Sequence, residues 1–255
     1  TEEEKEIDEI NTGVYLFDLA VLRDVIKNLK NDNAQKELYL TDVISLINSS
    51  GKKSHAILSN DYSETLGIND RTQLAECAAI MRDRINSLHM LNGVTILDPT
   101  TTWIDHDVKI EADVVIYPGS SITGKSHIKS EAVIGPRTTL DSCVVEEGAK
   151  VVESNCTESV IGKGAKVGPF TYLRKGSVLK DESKAGSFVE IKNSTIGAKS
   201  KVAHLSYVGD AEIGVESNIG AATIFVNYDG ENKHKTKVGD HVRIGSDTML
   251  VAPVS

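Results

Sequence analysis

The chain reads as mainly β: a parallel β-helix wound from hexapeptide repeats, preceded by a long helix and a short α/β segment. Three observations predict this. Ile104, Ile110, Ile116, Ile122, Ile128, Ile134 and Leu140 follow one another in steps of six, and the step resumes at Ile161, Val167, Leu173, Leu179, Ala185 and Ile191. Shorter runs continue in shifted phase, as Ile196, Val202, Val208, then Ile213, Ile219, Phe225, then Val238, Ile244, Leu250. The residue two before a rung is usually small or β-branched, as at Thr102, Ser120, Ala132, Thr138, Thr171 and Ser217, and glycine often follows the rung, as at Gly135, Gly162, Gly197 and Gly220. A period of six is neither the 3.6 of a helix nor the simple alternation of a strand. It suits a short strand with two inward residues two apart, followed by a bend. Three such units close a triangular coil of about 18 residues, one of the period signatures to seek before local propensity.

Ahead of the ladder, residues 1–9 (TEEEKEIDE) are too acidic for a core and read as exposed. Residues 9–18 read as a strand interrupted by Gly13, and residues 19–30 as a helix with Leu19, Leu22, Ile26 and Leu29 on one face. Thr41 is placed to cap a second helix, and residues 54–59 form a short strand. Asn69 or Asp70 opens a long helix whose buried stripe is Leu74, Ala78, Met81, Ile85 and Leu88, ending near Asn92-Gly93. Two strands are too few to bury the faces of a sheet. The expected division is therefore 1–68, the tail of an α/β domain; 69–93, a linker helix; and 94–255, the β-helix. Leu250 is a rung close to Ser255 with no capping unit after it, so both ends read as cut from a longer protein.

The net charge of −9 argues against general affinity for nucleic acid or anionic membrane. No apolar run approaches the ~20 residues of a membrane span, and no signal peptide opens the chain. Cys77, Cys143 and Cys156 are odd in number and lack CxxC spacing, which fits neither a disulfide framework nor a zinc site. A reduced, cytoplasmic protein is expected.

Candidate chemistry follows from the coil. Residues 18 apart stack on neighbouring coils, roughly 4.8 Å apart. Arg174 and Lys192 are so spaced, each one past a rung; stacked cations repel, and a phosphate between them turns repulsion into attraction. His204, two past the rung Val202, faces outward, with Tyr207 nearby and Asn218 about a coil later, a placement that suits a base beside an anion site. Between Phe225 and Val238 the rhythm fails, and a polar loop carries Lys233, His234, Lys235 and Lys237. A three-histidine zinc site from His204, His234 and His241 lacks any supporting carboxylate pattern.

At these residues the chain resembles a known family. GPFTYLRKGSVL (168–179), SFVEIKNSTIG (187–197), AHLSYVGDAEIG (203–214), SNIGAATIFVNYDG (217–230) and GSDTMLVAPV (245–254) are similar to the bifunctional bacterial N-acetylglucosamine-1-phosphate uridyltransferases/glucosamine-1-phosphate acetyltransferases. INTGVYLFD (10–18), ELYLTDVI (37–44) and LGINDRTQL (66–74) resemble the last part of their uridyltransferase domain. The resemblance implies a left-handed coil, a homotrimer and acetyltransfer sites between subunits. It implies His204 as general base toward the amine of glucosamine 1-phosphate, with Arg174 and Lys192 on the phosphate and Tyr207, Asn218 and Lys233 orienting the sugar. Ala221, Asn227, Tyr228 and Ser246 would contact acetyl-CoA. Asn11 would touch N-acetylglucosamine, and Asn69 would be a Mg²⁺ ligand for uridyl transfer from UTP, giving UDP-N-acetylglucosamine for peptidoglycan synthesis. The family's glycine-rich nucleotide loop and second Mg²⁺ ligand are not found in these residues, so this chain alone is expected not to make UDP-N-acetylglucosamine. Ala222 stands where the family pattern suggests glycine. Two rival readings are a nucleotidyltransferase whose β-helix only assembles or regulates, and a non-catalytic trimeric scaffold.

Overall fold

The computed structural model describes residues 9–255, which fall into two compact units meeting between Ile80 and Met81. Apart from Glu9, the acidic opening stretch lies outside the described residues.

In the first unit, helix α1 (Leu19–Val25) starts at Asp18, whose carboxylate accepts from the Ala20 and Val21 N–H groups at 2.9 and 3.1 Å. Helix α2 (Asp42–Ser49) follows Thr41, whose hydroxyl makes no capping bond. Val25, Val43 and Ile47 form a small core with Phe17, Val21, Leu22, Leu29 and Leu46 against them. Of the expected helical face, Leu19 and Ile26 are exposed. Residues 9–18 and 54–59 are not strands. A strand exists only as a ladder to a neighbour, and no described residue of this unit offers one, so Leu16 and Ile57 stay in solvent.

Helix α3 (Arg71–Leu91) is opened by Asp70, which accepts the Gln73 N–H at 2.8 Å while the Gln73 side chain accepts the Asn69 N–H at 2.6 Å. It ends where the Gly93 N–H reaches the Met90 carbonyl and the Val94 N–H reaches that of His89, both at 3.1 Å. Gly93 turns there at φ +92°, a conformation glycine adopts freely. The expected stripe is not buried: Leu74, Met81 and Leu88 are about half exposed, and Ala78 and Ile85 are intermediate. The buried side chain is Asn86, which donates to the Pro99 and Thr102 carbonyls at 2.9 Å each. Arg82 donates to the Thr100 carbonyl at 2.8 Å. The helix turns a polar side chain inward because it meets upturned carbonyls, with Ile85 against the apolar core beside them.

From Thr95 onward the chain winds through three parallel sheets, of nine, nine and eight strands among the described residues. Face one begins at Thr95–Ile96, face two at Trp103–Ile104 and face three at Lys109–Ile110. Each strand pairs with the third before and the third after it, as a three-sided coil requires. The rungs point inward and form one core from Val94 to Phe225. The small residues two before them line the corners, where hydroxyls join coil to coil: Ser177 donates across to the Arg174 and Ile191 carbonyls, 2.6 and 2.9 Å away. The mainly β, parallel β-helix expected from the period of six is what the chain forms.

The interruption after Leu140 is a shortening of the coil. Val145, Val151 and Cys156 supply the missing rungs, with Cys156 stacked between Leu140 and Leu173 and Val145 beneath Ile161. Three of the four steps from Leu140 to Ile161 are of five, with only Val145 to Val151 keeping six, so a search for sixes passes over them. Many corners are left-handed residues other than glycine, Ala222 among them at φ +57°.

Candidate functional site

On face two the inward rungs Leu173 and Ile191 are paired, and the outward residues beside them follow the same register. Tyr172, Glu190 and Tyr207 make one outward column; Arg174, Lys192 and Gly209 make the next, at the margin toward face three. The two cations thus share a column, as the 18-residue spacing predicted. The Arg174 guanidinium donates to Glu190 Oε1 at 2.9 Å, and Lys192 Nζ lies 3.4 Å from Asp210 Oδ2. The Tyr207 hydroxyl lies over Gly209, where any side chain would collide with it and come within 2.7 Å of Asn227 Nδ2.

Lys233 joins these cations from the extruded loop. Its amine competes with that of Lys192 for protons: the neighbouring Lys192 side chain, first as a would-be hydrogen-bond partner and then as a charge, pushes Lys233 below the ordinary lysine range. Lys192 is raised, first by the Lys233 side chain beside it and then, against its partial desolvation, by Asp210. Arg174, Lys192 and Lys233 therefore crowd three basic groups together, and a phosphate among them would relieve their mutual repulsion and favour the protonated form of each.

The loop is a braced hairpin, with Tyr228 and Lys233 bridged antiparallel. Asp229 accepts from the Glu231 and Asn232 N–H groups at 2.8 and 2.7 Å and lies 2.6 Å from His234 Nε2. Those backbone donors first, and His234 after them, hold its carboxyl far below the usual range. Tyr228 is exposed, its hydroxyl donating to the Gly230 carbonyl. Asn227 is buried, and its amide donates to Asp210 at 2.5 Å.

His204 ends the face-one strand Lys201–His204 and pairs in register with Ser187. Its ring is exposed and makes no hydrogen bond or ion pair with a described residue. Because Val202, Ile219 and Ile244 stack as rungs, His204, Ala221 and Ser246 stack two residues later. The Ala222 N–H bonds the His204 carbonyl and the Asp247 N–H that of Ala221, as this register demands. The base and two of the expected acetyl-CoA contacts therefore form one column. This column lies at the face-one margin of face two and the cations lie at its other margin, so one chain does not set the base directly beside the anion column.

Asn218 stands apart from the cations, on face one between Lys201 and Arg243. Asn11 and Asn69 are exposed in the first unit, where Asn11 donates to the Tyr15 hydroxyl at 2.6 Å. His234 and His241 pair with Asp229 and Glu216, and no group of three metal-binding side chains occurs among the described residues. No described helix is long and apolar enough to cross a membrane. Sequence reasoning passed over Asp210, Asn193, Gly209 and Glu190. Asp210 carried a signal, since it lies 18 residues after Lys192, just as Lys192 follows Arg174.

No family model matches the chain. It is 53% identical over 255 residues to the bifunctional protein GlmU of Mycobacterium tuberculosis, covering all of this chain and 52% of that protein. GlmU of Corynebacterium jeikeium is 54% identical over 254 residues, with 52% of its length covered. The chain thus spans about half the length of the curated relatives it matches. Among solved structures, a UDP-N-acetylglucosamine acyltransferase aligns at 10% identity and a TM-score of 0.46, over 60% of this chain and 69% of that one.

Proposed function

We propose, from the premise that this chain is a GlmU homologue along its whole length, that it transfers the acetyl group of acetyl-CoA to the amine of glucosamine 1-phosphate. The observation that carries this reading is the stacking of Arg174 and Lys192 in one column, with the Tyr207 hydroxyl and Lys233 brought to it. The three cations hold the sugar phosphate, and Tyr207 and Asn218 orient the ring. Acetyl-CoA lies along the column of His204, Ala221 and Ser246, with Asn227 and Tyr228 contributing from the loop. His204 takes a proton from the amine as its nitrogen attacks the thioester carbonyl; the new C–N bond forms, the C–S bond breaks, and coenzyme A leaves as a thiolate that is then protonated. The separation of the two columns within one chain favours sites completed between subunits, in a cytoplasmic homotrimer.

For the whole protein the reading extends to uridyl transfer from UTP to N-acetylglucosamine 1-phosphate, with residues 1–68 part of that domain, 69–93 a linker and 94–255 the acetyltransferase. Asn11 would meet the sugar there. Asn69 offers one neutral oxygen, too little to hold Mg²⁺, which takes carboxylates or phosphates besides water, so no step through that ion is derived.

His204→Ala should lower the rate of coenzyme A release with glucosamine 1-phosphate by ~10²–10⁴-fold. Undiminished turnover in that variant would favour a β-helix that only assembles or regulates. Calorimetric titration in which neither acetyl-CoA nor glucosamine 1-phosphate binds would favour the scaffold.

A further inference from the structure

Beside the cation column lies a buried carboxylate: Asp210 is 7% exposed, and the one cation it touches, Lys192, has a half-buried side chain. Its Oδ1 accepts from Asn193 Nδ2 at 2.6 Å, and its Oδ2 accepts from Asn227 Nδ2 at 2.5 Å and lies 3.4 Å from Lys192 Nζ. Its backbone N–H donates to the Lys192 carbonyl at 3.1 Å, and its own carbonyl accepts the Thr236 N–H at 3.2 Å. Asn227 opens the extruded loop and Thr236 closes it, so a single residue grips both feet of the segment that carries Lys233. The loop passes this grip onward, because the His234 N–H bonds the Asn227 carbonyl at 2.8 Å and Tyr228 bridges Lys233.

We infer that Asp210 is a positioning residue of the acceptor site, fixing the Lys192 ammonium and the Lys233-bearing loop relative to each other. The inference deepens the acetyl-transfer reading and rests on it. Every side-chain partner of Asp210 is a donor, which only an ionised carboxylate satisfies throughout; an amide here would turn an NH₂ group toward donors. Burial opposes ionisation, but the hydrogen bonds from Asn193 and Asn227 and the charge of Lys192 outweigh it and hold the carboxyl below its ordinary value. Since both oxygens are already engaged, the charge offsets Lys192 from behind and leaves the outer side of the column positive. Gly209 fits the same picture: it keeps free the space where the Tyr207 hydroxyl and the Asn227 amide approach.

The test is Asp210→Asn in the full chain, with acetyl transfer measured against glucosamine 1-phosphate. The KM for the sugar phosphate should rise roughly 10-fold, the scale for losing an outer partner that orients a ligand-binding group, while kcat stays within about threefold. A merely structural role would lower the active fraction, and so kcat, with KM unmoved. Asn193→Ala removes one strut and keeps the charge; it should raise KM about two- to threefold, and it serves if Asp210→Asn does not fold. Unchanged KM in a folded variant, beside a wild type that turns over, overturns the role of Asp210 alone. A wild type that binds neither acetyl-CoA nor glucosamine 1-phosphate overturns the acetyl-transfer reading and this inference with it.

Discussion

The two margins of face two are built on opposite principles. At one, His204 stands exposed with no described partner, in a column with Ser187, Ala221 and Ser246. At the other, each cation is braced: Arg174 by Glu190, Lys192 by Asp210, and Lys233 by a hairpin clamped at both feet. On the proposed reading the exposed imidazole is open to the incoming amine, whereas the groups proposed to bind a permanent anion are held in advance. The same coil serves both because its corners recur at fixed height while the side chains on them vary.

That contrast can be broken from either side, and the largest effect belongs to the unbraced margin. His204→Ala should act on kcat, by the ~10²–10⁴-fold already stated, and leave the KM for glucosamine 1-phosphate near its starting value. Arg174→Met should do the reverse, raising that KM roughly 10- to 100-fold, the loss of a hydrogen bond between charged groups, with a smaller change in kcat. If both variants shifted the same constant, the division of labour between the margins would be wrong.

A pH series sharpens the braced side further. Lys233 sits below the ordinary lysine range because the Lys192 side chain beside it competes for the proton and carries a like charge. A phosphate favours the protonated amine, so affinity is full below the lowered pKa and falls as pH rises through it. KM should therefore climb on the alkaline side before ordinary lysines titrate, and Lys233→Met should start higher and climb less. Measuring KM from neutral pH upward in both proteins checks this.

The smallest effect is on stability. Ala222 adopts φ +57° at the corner beside the His204 column. Ala222→Gly removes a left-handed strain of ~1–2 kcal/mol but loosens the unfolded chain, for a net gain of about 1 kcal/mol or less, read as a small rise in Tm with both kinetic constants unchanged.

The coil was legible in the sequence because each rung reports on itself: Ile116, Ile122 and Ile128 are buried by the coils directly next to them. Val145, Val151 and Cys156 were missed because a side shortened by one residue keeps the contact and changes only the spacing. The first unit failed for a different reason. Residues 9–18 and 54–59 carry the apolar content of strands, yet a ladder needs a second strand, which the pattern alone does not supply. Likewise Leu74, Met81 and Leu88 mark a helical stripe, but burial depends on what meets it, and at Asn86 that was a set of carbonyls. In the site, spacing found Arg174 and Lys192. The same step of 18 from Lys192 reaches Asp210 but was not followed; the next coil takes 17 residues, so Gly209 pairs with Lys192 and Asp210 falls on the corner, within reach of the lysine rather than above it.

The seat of α3 has a consequence beyond anchoring. The first turn of any parallel coil presents a rim of backbone acceptors, a ready template for another molecule's strand. Here Pro99, Thr100 and Thr102 offer their oxygens to Asn86 and Arg82 instead. Two side chains on one helix thus occupy acceptors at this edge and close that stretch of it to an added strand, a service that owes nothing to catalysis.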